Sequence, residues 1–405
     1  MSAISPSLPQ TPKPGLRFEL GELVGWAGAL YEDLDLRAVR AWKEIAPGRK
    51  AIGHMPIYVP RELIHAAGML PVGIVGGGDR LEIVRGDAYF QSYICHIPRS
   101  TIELALAHRL DALDGMLFPS ICDVIRNLSG MWKMLFPDRY VRYMDVPQNY
   151  EPAVGGRFWY QELSELRDDL ASLSGACLTD DALSRSIAVY NEHRRALRDL
   201  YEARSREPWF FPASEMFLIL RAGNILPAEE HTAMVRQYAR LARLEYGRRE
   251  QDQSRVVLVG MFCEQPPLGL LITLERAGCW VVGDDWMLGL RWLTGDVPLT
   301  GDPLEALAQA FLTQSVPTAS KYEPRGERGE WLVESVRRNR ADGVVFCAAS
   351  FCDPALLEQP MLIAALDAAG IPHTQFKYSE DTGQFAVIRE QAGTFSDSIR
   401  LWSEA

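Results

Sequence analysis

Asp114-Gly-Met-Leu-Phe-Pro-Ser-Ile-Cys122-Asp123 is the stretch from which the fold is read. Gly115 leads into a short apolar run, Met116 to Phe118. Pro119 and Ser120 break it, and Cys122-Asp123 opens an amphipathic segment. That pattern is a buried strand ending at a helix N-terminus, with a thiol at the junction. The chain repeats it in Asp342-Gly-Val-Val-Phe-Cys-Ala-Ala-Ser-Phe-Cys352-Asp353, with a turn two residues longer. One strand–turn–helix unit is therefore echoed within the chain, and both thiols are expected to face one site.

Outward from these copies, strands alternate with helical segments, the signature of parallel βαβ units. Leu20 to Ile45 carries continuous helical periodicity and is stopped by Pro47-Gly48. Strands are predicted at Ala51–His54, Leu70–Val75, Met116–Phe118 and Tyr140–Met144. Between them helices start at Pro60, Pro98 and Cys122. The alternation returns at Val256–Gly260, Trp280–Val282, Val344–Phe346 and His373–Phe376, with helices at Leu268–Ala277, Pro354–Ala368 and Phe385–Trp402. The middle shows only helices: one from an Asp180-Asp181 cap to about Ala203, one at Ser214–Ala222, and one from Pro227 to about Arg249. Residues 294–329 are weakly patterned, and a loop-rich excursion is expected there. The fold class is α/β: two parallel-sheet, flavodoxin- or Rossmann-like domains with a metal site between them. Residues 1–46 form a tail and N-terminal helix, 47–160 the first α/β domain, 161–254 a helical connecting region, and 255–405 the second α/β domain.

With 405 residues, 47% of them hydrophobic, the chain can bury a large core. A net charge of −11 argues against a nucleic-acid binder. The first residues are rich in Ser, Pro and Thr and lack the charged start and apolar core of a signal peptide. No uninterrupted apolar run is long enough to span a membrane. A cytoplasmic setting follows. There, seven cysteines are not a disulfide framework.

Ligands of open α/β sheets gather beyond the carboxyl ends of the strands. Cys122 and Cys352 are expected there, each at a helix start that favours a thiolate. Cys95, just ahead of the Pro98 helix, stands in the same kind of position. Three soft anionic ligands suit an iron–sulfur cluster. The ordinary reading of any one cysteine is a small buried hydrophobe, so spacing alone leaves both open. Cys263 is the rival ligand. Cys347 reads as buried and inert, and Cys177 and Cys279 as packing residues. His96, beside Cys95, is either a proton donor to this site or a surface histidine. Gly76-Gly77-Gly78 fits neither G-x-G-x-x-G nor a Walker lysine motif and reads as a tight turn. Asp284-Asp285 reads as a helix cap in preference to a polar cleft wall. Arg49, Lys50, Arg61 and Arg80 read as a solvated basic face, or as a cluster on a CoA phosphate.

Five strings give the chain a relationship. They are Tyr58-Val-Pro-Arg-Glu-Leu-Ile-His-Ala-Ala-Gly-Met-Leu-Pro71, Gln91-Ser-Tyr-Ile-Cys-His-Ile-Pro-Arg-Ser-Thr-Ile-Glu-Leu104, Phe118-Pro-Ser-Ile-Cys-Asp-Val-Ile-Arg-Asn-Leu-Ser-Gly-Met-Trp132, Phe262-Cys-Glu-Gln-Pro-Pro267 and Ser350-Phe-Cys-Asp-Pro-Ala-Leu-Leu-Glu358. In these the chain resembles the benzoyl-CoA reductase/2-hydroxyacyl-CoA dehydratase family, nearest its C-type (gamma) reductase subunits, over nearly everything after about residue 28. The resemblance implies a 4Fe-4S cluster held by Cys95, Cys122 and Cys352, leaving Cys263 and Cys347 out. It implies a heterotetramer containing a homologous B-type subunit and two ATP-hydrolysing activator-type subunits, with reduced ferredoxin as indirect donor. The implied reaction is ATP-dependent dearomatisation of benzoyl-CoA, or a related aromatic acyl-CoA, to a cyclohexadiene-carbonyl-CoA. A 2-hydroxyacyl-CoA dehydratase subunit is the alternative within the family. A metal-free α/β ligand-binding protein is the alternative outside it.

Overall fold

The computed structural model describes residues 19–91, 93–261, 265–319, 329–379 and 384–403. Where one N-terminal helix is expected there are two, α1 (Leu20–Tyr31) and α2 (Arg37–Glu44). Between them Leu36 turns left-handed with φ 51°. The buried Asp33 carboxylate accepts from the backbone N–H of Arg37 (3.0 Å) and Ala38 (2.9 Å), which starts α2 afresh. The periodicity runs across the break because Leu30, Leu36 and Val39 all enter the core.

The first sheet follows. Its elements are β1 (Ala51–His54), α3 (Arg61–Ala66), β2 (Leu70–Gly73), α4 (His96–Leu106), β3 (Gly115–Pro119), α5 (Asp123–Leu135) and β4 (Tyr140–Met144). The strands are parallel in the order β2-β1-β3-β4. Helix α4 begins two residues before Pro98. A proline inside the first turn loses no helical hydrogen bond there, so Cys95 becomes the N-cap residue.

The middle is helical as read: α6 (Arg157–Ser174), α7 (Asp180–Arg206), α8 (Ala213–Ala222) and α9 (Ala228–Ala242). Helix α6 has no counterpart in the sequence reading. Thr179, not the aspartate pair, caps α7 by accepting from Ala182 N–H at 3.2 Å; the aspartates fill the first turn. Helix α9 stops short of Arg249, because beyond Ala242 the apolar face is gone and Leu244 and Tyr246 are exposed.

The second sheet comprises β5 (Ser254–Val259), α10 (Leu268–Arg276), β6 (Cys279–Asp284), α11 (Leu288–Arg291), α12 (Pro303–Gln314), α13 (Glu330–Arg338), β7 (Gly343–Ala349), α14 (Asp353–Ala369), β8 (His373–Tyr378) and α15 (Phe385–Ser403). Its parallel order, β6-β5-β7-β8, repeats that of the first. Strands β3 and β7 are therefore equivalent, and the Asp-Gly pair does the same job in each. Asp114 Oδ2 accepts from Ala51 N–H at 2.8 Å, and Asp342 Oδ2 accepts from Arg255 N–H at 2.7 Å. Each aspartate clamps the start of the neighbouring strand. A Cβ on Gly115 would lie 2.8 Å from the Tyr140 ring, and one on Gly343 would lie 2.8 Å from Pro372 O.

The expected loop over 294–329 is corrected in its middle. Residues 303–314 are helix α12, capped by Asp302 through the N–H groups of Leu304 (2.8 Å) and Glu305 (3.2 Å). Residues 320–328 lie outside the described ones. One buried apolar cluster runs through both sheets and the helices. A smaller one covers the other face of the second sheet, under α13 and α14. Among the described residues no helix is long and apolar enough to cross a membrane.

The core also encloses histidines. Burial, with the Arg61 charge behind it, pushes His54 down to about 3 against the pull of the Met55 carbonyl. Burial takes His231 to about 4, opposed by its bond to Ile219 O, and holds His193, 2.7 Å from His231, well below the ordinary value. All three fold neutral but take up a proton near pH 6.5 when unfolded. Their stabilisation is complete above that pH and is lost as pH falls toward 4 and below. Asp285, raised by burial to about 7, acts in the opposite sense, stabilising below about pH 4 and losing that as pH rises through 7. Three groups outweigh one, so the urea midpoint at pH 5 is expected well below that at pH 7.5. A flat or rising midpoint on acidification overturns this.

Candidate functional site

Cys95, Cys122 and Cys352 are the N-cap residues of α4, α5 and α14. All three line one cavity of about 570 Å³. Its walls come from both sheets: Pro56 follows β1, Ile121 follows β3 and Phe351 follows β7. In the first sheet, β1 and β3 flank the point where strand order reverses, the position at which open α/β sheets take ligands. The two thiols of the echoed units thus face the same space, and the third joins them.

Burial pushes the Cys122 thiol up, and the charges of Cys352 and Asp123 add to this. The N–H groups of Ile125 and Val124, exposed at the start of α5, pull the other way. That influence of Cys352 on Cys122 reflects their proximity across the cavity. Cys95 and Cys352 are buried, and Cys122 half-buried. Among the described residues no three Cys, His, Asp or Glu side chains stand close enough to hold a single metal ion.

Phe351, which lines this cavity, meets a second aromatic residue. Tyr93 and Phe351, each next to or near a cavity thiol in sequence, contact edge-to-face with ring centroids 5.5 Å apart. Both backbones are left-handed, at φ 68° and 64°, a conformation that costs non-glycine residues of order 1 kcal/mol. Each residue comes from the loop of a different sheet.

The other cysteines divide. Cys347 is buried in β7 and Cys279 in β6; burial lifts the Cys347 thiol far up and takes Cys279 to about 12, so both are inert. Cys177 is exposed in the α6–α7 connection and is no packing residue. Cys263 lies outside the described residues. His96 is buried, not on the surface. Its neighbours Cys95 and Ile97 line the cavity, and His96 is not among the lining residues.

The polar expectations around the second sheet are corrected. Asp284 is no cap: its buried carboxylate pairs with Arg204 and Arg291, both at 2.6 Å, and accepts from Tyr201 Oη. Asp285 accepts from Gly260 N–H (2.6 Å) and Met261 N–H (2.9 Å), holding the chain beyond β5. The four basic residues do not converge. Arg61 is buried and donates to Leu290 O, Lys50 donates to Leu173 O, Arg49 lies over Trp42, and Arg80 pairs with Glu32. The triple glycine does turn tightly, with Gly76 at φ 71° and a Cβ there only 2.4 Å from Ser100 Oγ.

Glu358 went unnoticed in the sequence. It is buried on α14 and lines the thiol cavity. The legible signal was a charge on an apolar stripe: Ala355, Glu358, Leu362 and Leu366 are the buried face of that helix.

A family model for the 2-hydroxyglutaryl-CoA dehydratase D-component matches residues 56–399. The chain is 56% identical over 383 residues to the C-type subunit of the benzoyl-CoA reductase of Thauera aromatica, covering 94% of this chain and 99% of that one. It is 32% identical over 360 residues to the beta subunit of (R)-2-hydroxyglutaryl-CoA dehydratase of Acidaminococcus fermentans, covering 87% and 93%. It is 30% identical over 353 residues to the (R)-phenyllactyl-CoA dehydratase beta subunit of Clostridium sporogenes, covering 87% and 92%.

Proposed function

The chain belongs to the 2-hydroxyglutaryl-CoA dehydratase D-component family, and we propose that it is the iron–sulfur subunit of an ATP-dependent benzoyl-CoA reductase. The observation that carries the cluster is the meeting of Cys95, Cys122 and Cys352 at one cavity. A 4Fe-4S cluster, whose cysteine ligands bind different irons, suits three thiols that line one cavity. The reductase reading, rather than the dehydratase one, is favoured by 56% identity against 32%.

The cluster, when bound, supplies single electrons at low potential for reduction of an aromatic acyl-CoA. The chain's own residues prepare the place. Cys95, Cys122 and Cys352 act as ligands, each at a helix start whose dipole and N–H groups favour a thiolate. Ile97, Ile121, Phe351, Leu357 and Met361 give the cavity an apolar lining, of which Phe351, Leu357 and Met361 face solvent on this chain alone. His96 is the proposed donor of one proton. The partners are a homologous B-type subunit and two ATP-hydrolysing activator-type subunits fed by reduced ferredoxin, in the cytoplasm. The product is a cyclohexadiene-carbonyl-CoA.

Anaerobic purification of the complex tests the reading. A brown protein with about four irons per chain assigned to this subunit, an iron–sulfur EPR signal, and turnover of benzoyl-CoA but not of a 2-hydroxyacyl-CoA are expected. Turnover of only the hydroxyacyl substrate would move the chain to the dehydratases. A colourless complex would leave a metal-free binding protein. Near-normal turnover by His96→Ala would dismiss that histidine.

A further inference from the structure

Helix α14, capped by Cys352, is apolar on two opposite faces. Its buried face is Ala355, Leu362 and Leu366, with Glu358 among them. Leu357, Pro360, Met361, Ala364 and Ala368 are exposed, and their spacing of three and four sets them in one stripe on the other side. No exposed charge interrupts that stripe between Asp353 and Asp367. A helix apolar all round belongs in an interior, yet Leu357 is 74% exposed. The equivalent helix of the first sheet, α5, is different: Arg126, Asn127 and Lys133 are exposed there, with Met134 the one large apolar side chain among them. The α14 stripe runs into the mouth of the thiol cavity, where Leu357 and Met361 join exposed Phe351 in the lining. Tyr93, 78% exposed, extends it through its contact with Phe351. Left-handed backbone sets both aromatic residues at this mouth, a strain of the kind that persists at recognition sites.

We propose that this surface, from Tyr93 and Phe351 along the outer face of α14, is where a homologous subunit docks and closes the mouth of the thiol cavity. The inference rests on the reductase reading, which gives the chain such a subunit. An uncharged stripe suits a permanent neighbour, because lasting interfaces are the more apolar ones. A homologous subunit carries the same helix in the same place, so the two outer faces can meet about a pseudo-two-fold axis. Charge separates that partner from a second copy of this chain. The cavity is lined by Asp123, Asp353 and Glu358 and, among the described residues, by no lysine or arginine. A second copy would bring exposed Asp123 and Asp353 against their own counterparts, a like-charge contact that opposes docking. The partner that fits offers an apolar ridge to the stripe and lysine or arginine to the two aspartates. Tyr93 and Phe351 are the aromatic anchors at its centre. Once seated, it takes Phe351, Leu357 and Met361 out of solvent and expels water from the mouth, the dry setting that low-potential electron transfer needs.

The test labels the full chain with a photoactivated carbene, anaerobically, alone and in complex with the homologous subunit. Leu357, Met361 and Ala364 are expected to label several-fold less in the complex, while Tyr246, exposed ahead of β5, labels equally in both. Ala364→Arg puts a charge into the stripe outside the cavity lining. It should weaken binding of the homologous subunit by about 10²-fold, read by sedimentation. The urea midpoint of the isolated chain should not move, because Ala364 is exposed. Equal labelling of the stripe with and without the homologous subunit overturns the proposal, as does wild-type affinity in Ala364→Arg. Protection that appears only when the ATP-hydrolysing subunits are added assigns the surface to them instead. Protection of the isolated chain that fades on dilution means a second copy, and protection that survives dilution means cover by the chain's own segments. Each of these rejects the homologous partner. The label is read without iron or turnover, so a wild-type complex lacking iron fails the reductase reading while the stripe is still judged by its own footprint.

Discussion

Replacing Cys122 by serine is expected to strip most of the iron from this chain, abolish or transform its EPR signal, and lower benzoyl-CoA turnover by at least ~10²-fold, beyond what losing a hydrogen-bond partner of a ligand costs. A thiolate is a soft, polarisable ligand, and a serine hydroxyl stays protonated under the same conditions. The nearest carboxylate in sequence, Asp123, is the exposed first residue of α5 and also lines the cavity, but its oxygens are hard ligands that match the thiolate poorly. The fold should not suffer, because Cys122 is only half-buried and serine is itself a favoured N-cap residue. Cys279→Ser and Cys347→Ser are the controls: both sit inside strands, away from the cavity, and should keep full iron. A Cys122→Ser complex with wild-type iron and spectrum would sink the ligand assignment. Iron loss from the strand variants as well would point to a general destabilisation instead.

What could be read from the sequence depended on how local the cause was. The Asp-Gly starts of β3 and β7 were legible because one side chain and one missing Cβ produce them, within a few residues. The cap positions of Cys122 and Cys352 followed from the same strings. Cys95 was placed correctly at a helix start although the helix begins earlier than its proline suggests. The break at Leu36 was invisible, since both flanking helices bury one stripe and the signal for the turn is the single capping carboxylate of Asp33. The roles of Asp284 and Asp285 depend on Arg204, Arg291, Gly260 and Met261, which only the tertiary fold brings to them. Glu358 belongs to the same class: it is buried against a cavity that no spacing rule describes.

Helix α12 was missed for a different reason, and it is where the largest stability effect is expected. Asp302-Pro303 is an ordinary helix start, and Leu304, Leu307 and Phe311 have helical spacing, but Gly and Pro on either side masked them. Phe311 is fully buried. Its ring meets four others: Trp159 at 4.9 Å, Tyr150 at 5.2 Å in a stack, and Tyr58 and Trp292 at 5.6 Å each. These come from α6, from the segment after β4, from the loop after β1 and from the end of α11, so one side chain ties four regions together. Phe311→Ala should cost about 3–5 kcal/mol, the range for a phenylalanine deleted from a packed core, with lost ring–ring contacts pushing toward the upper end. Phe311→Leu, which keeps much of the volume, should cost markedly less. The measurement is the urea midpoint at constant m. The Tyr58 hydroxyl bonds to Thr318, whose neighbour Ala319 lines the thiol cavity. The alanine variant should therefore also loosen that wall, and any iron held there should be lost faster to a chelator at temperatures where the protein is still folded. A loss of stability under ~1 kcal/mol would mean that α12 is not the brace this packing describes. The two sheets would then have to be held together by the other helices.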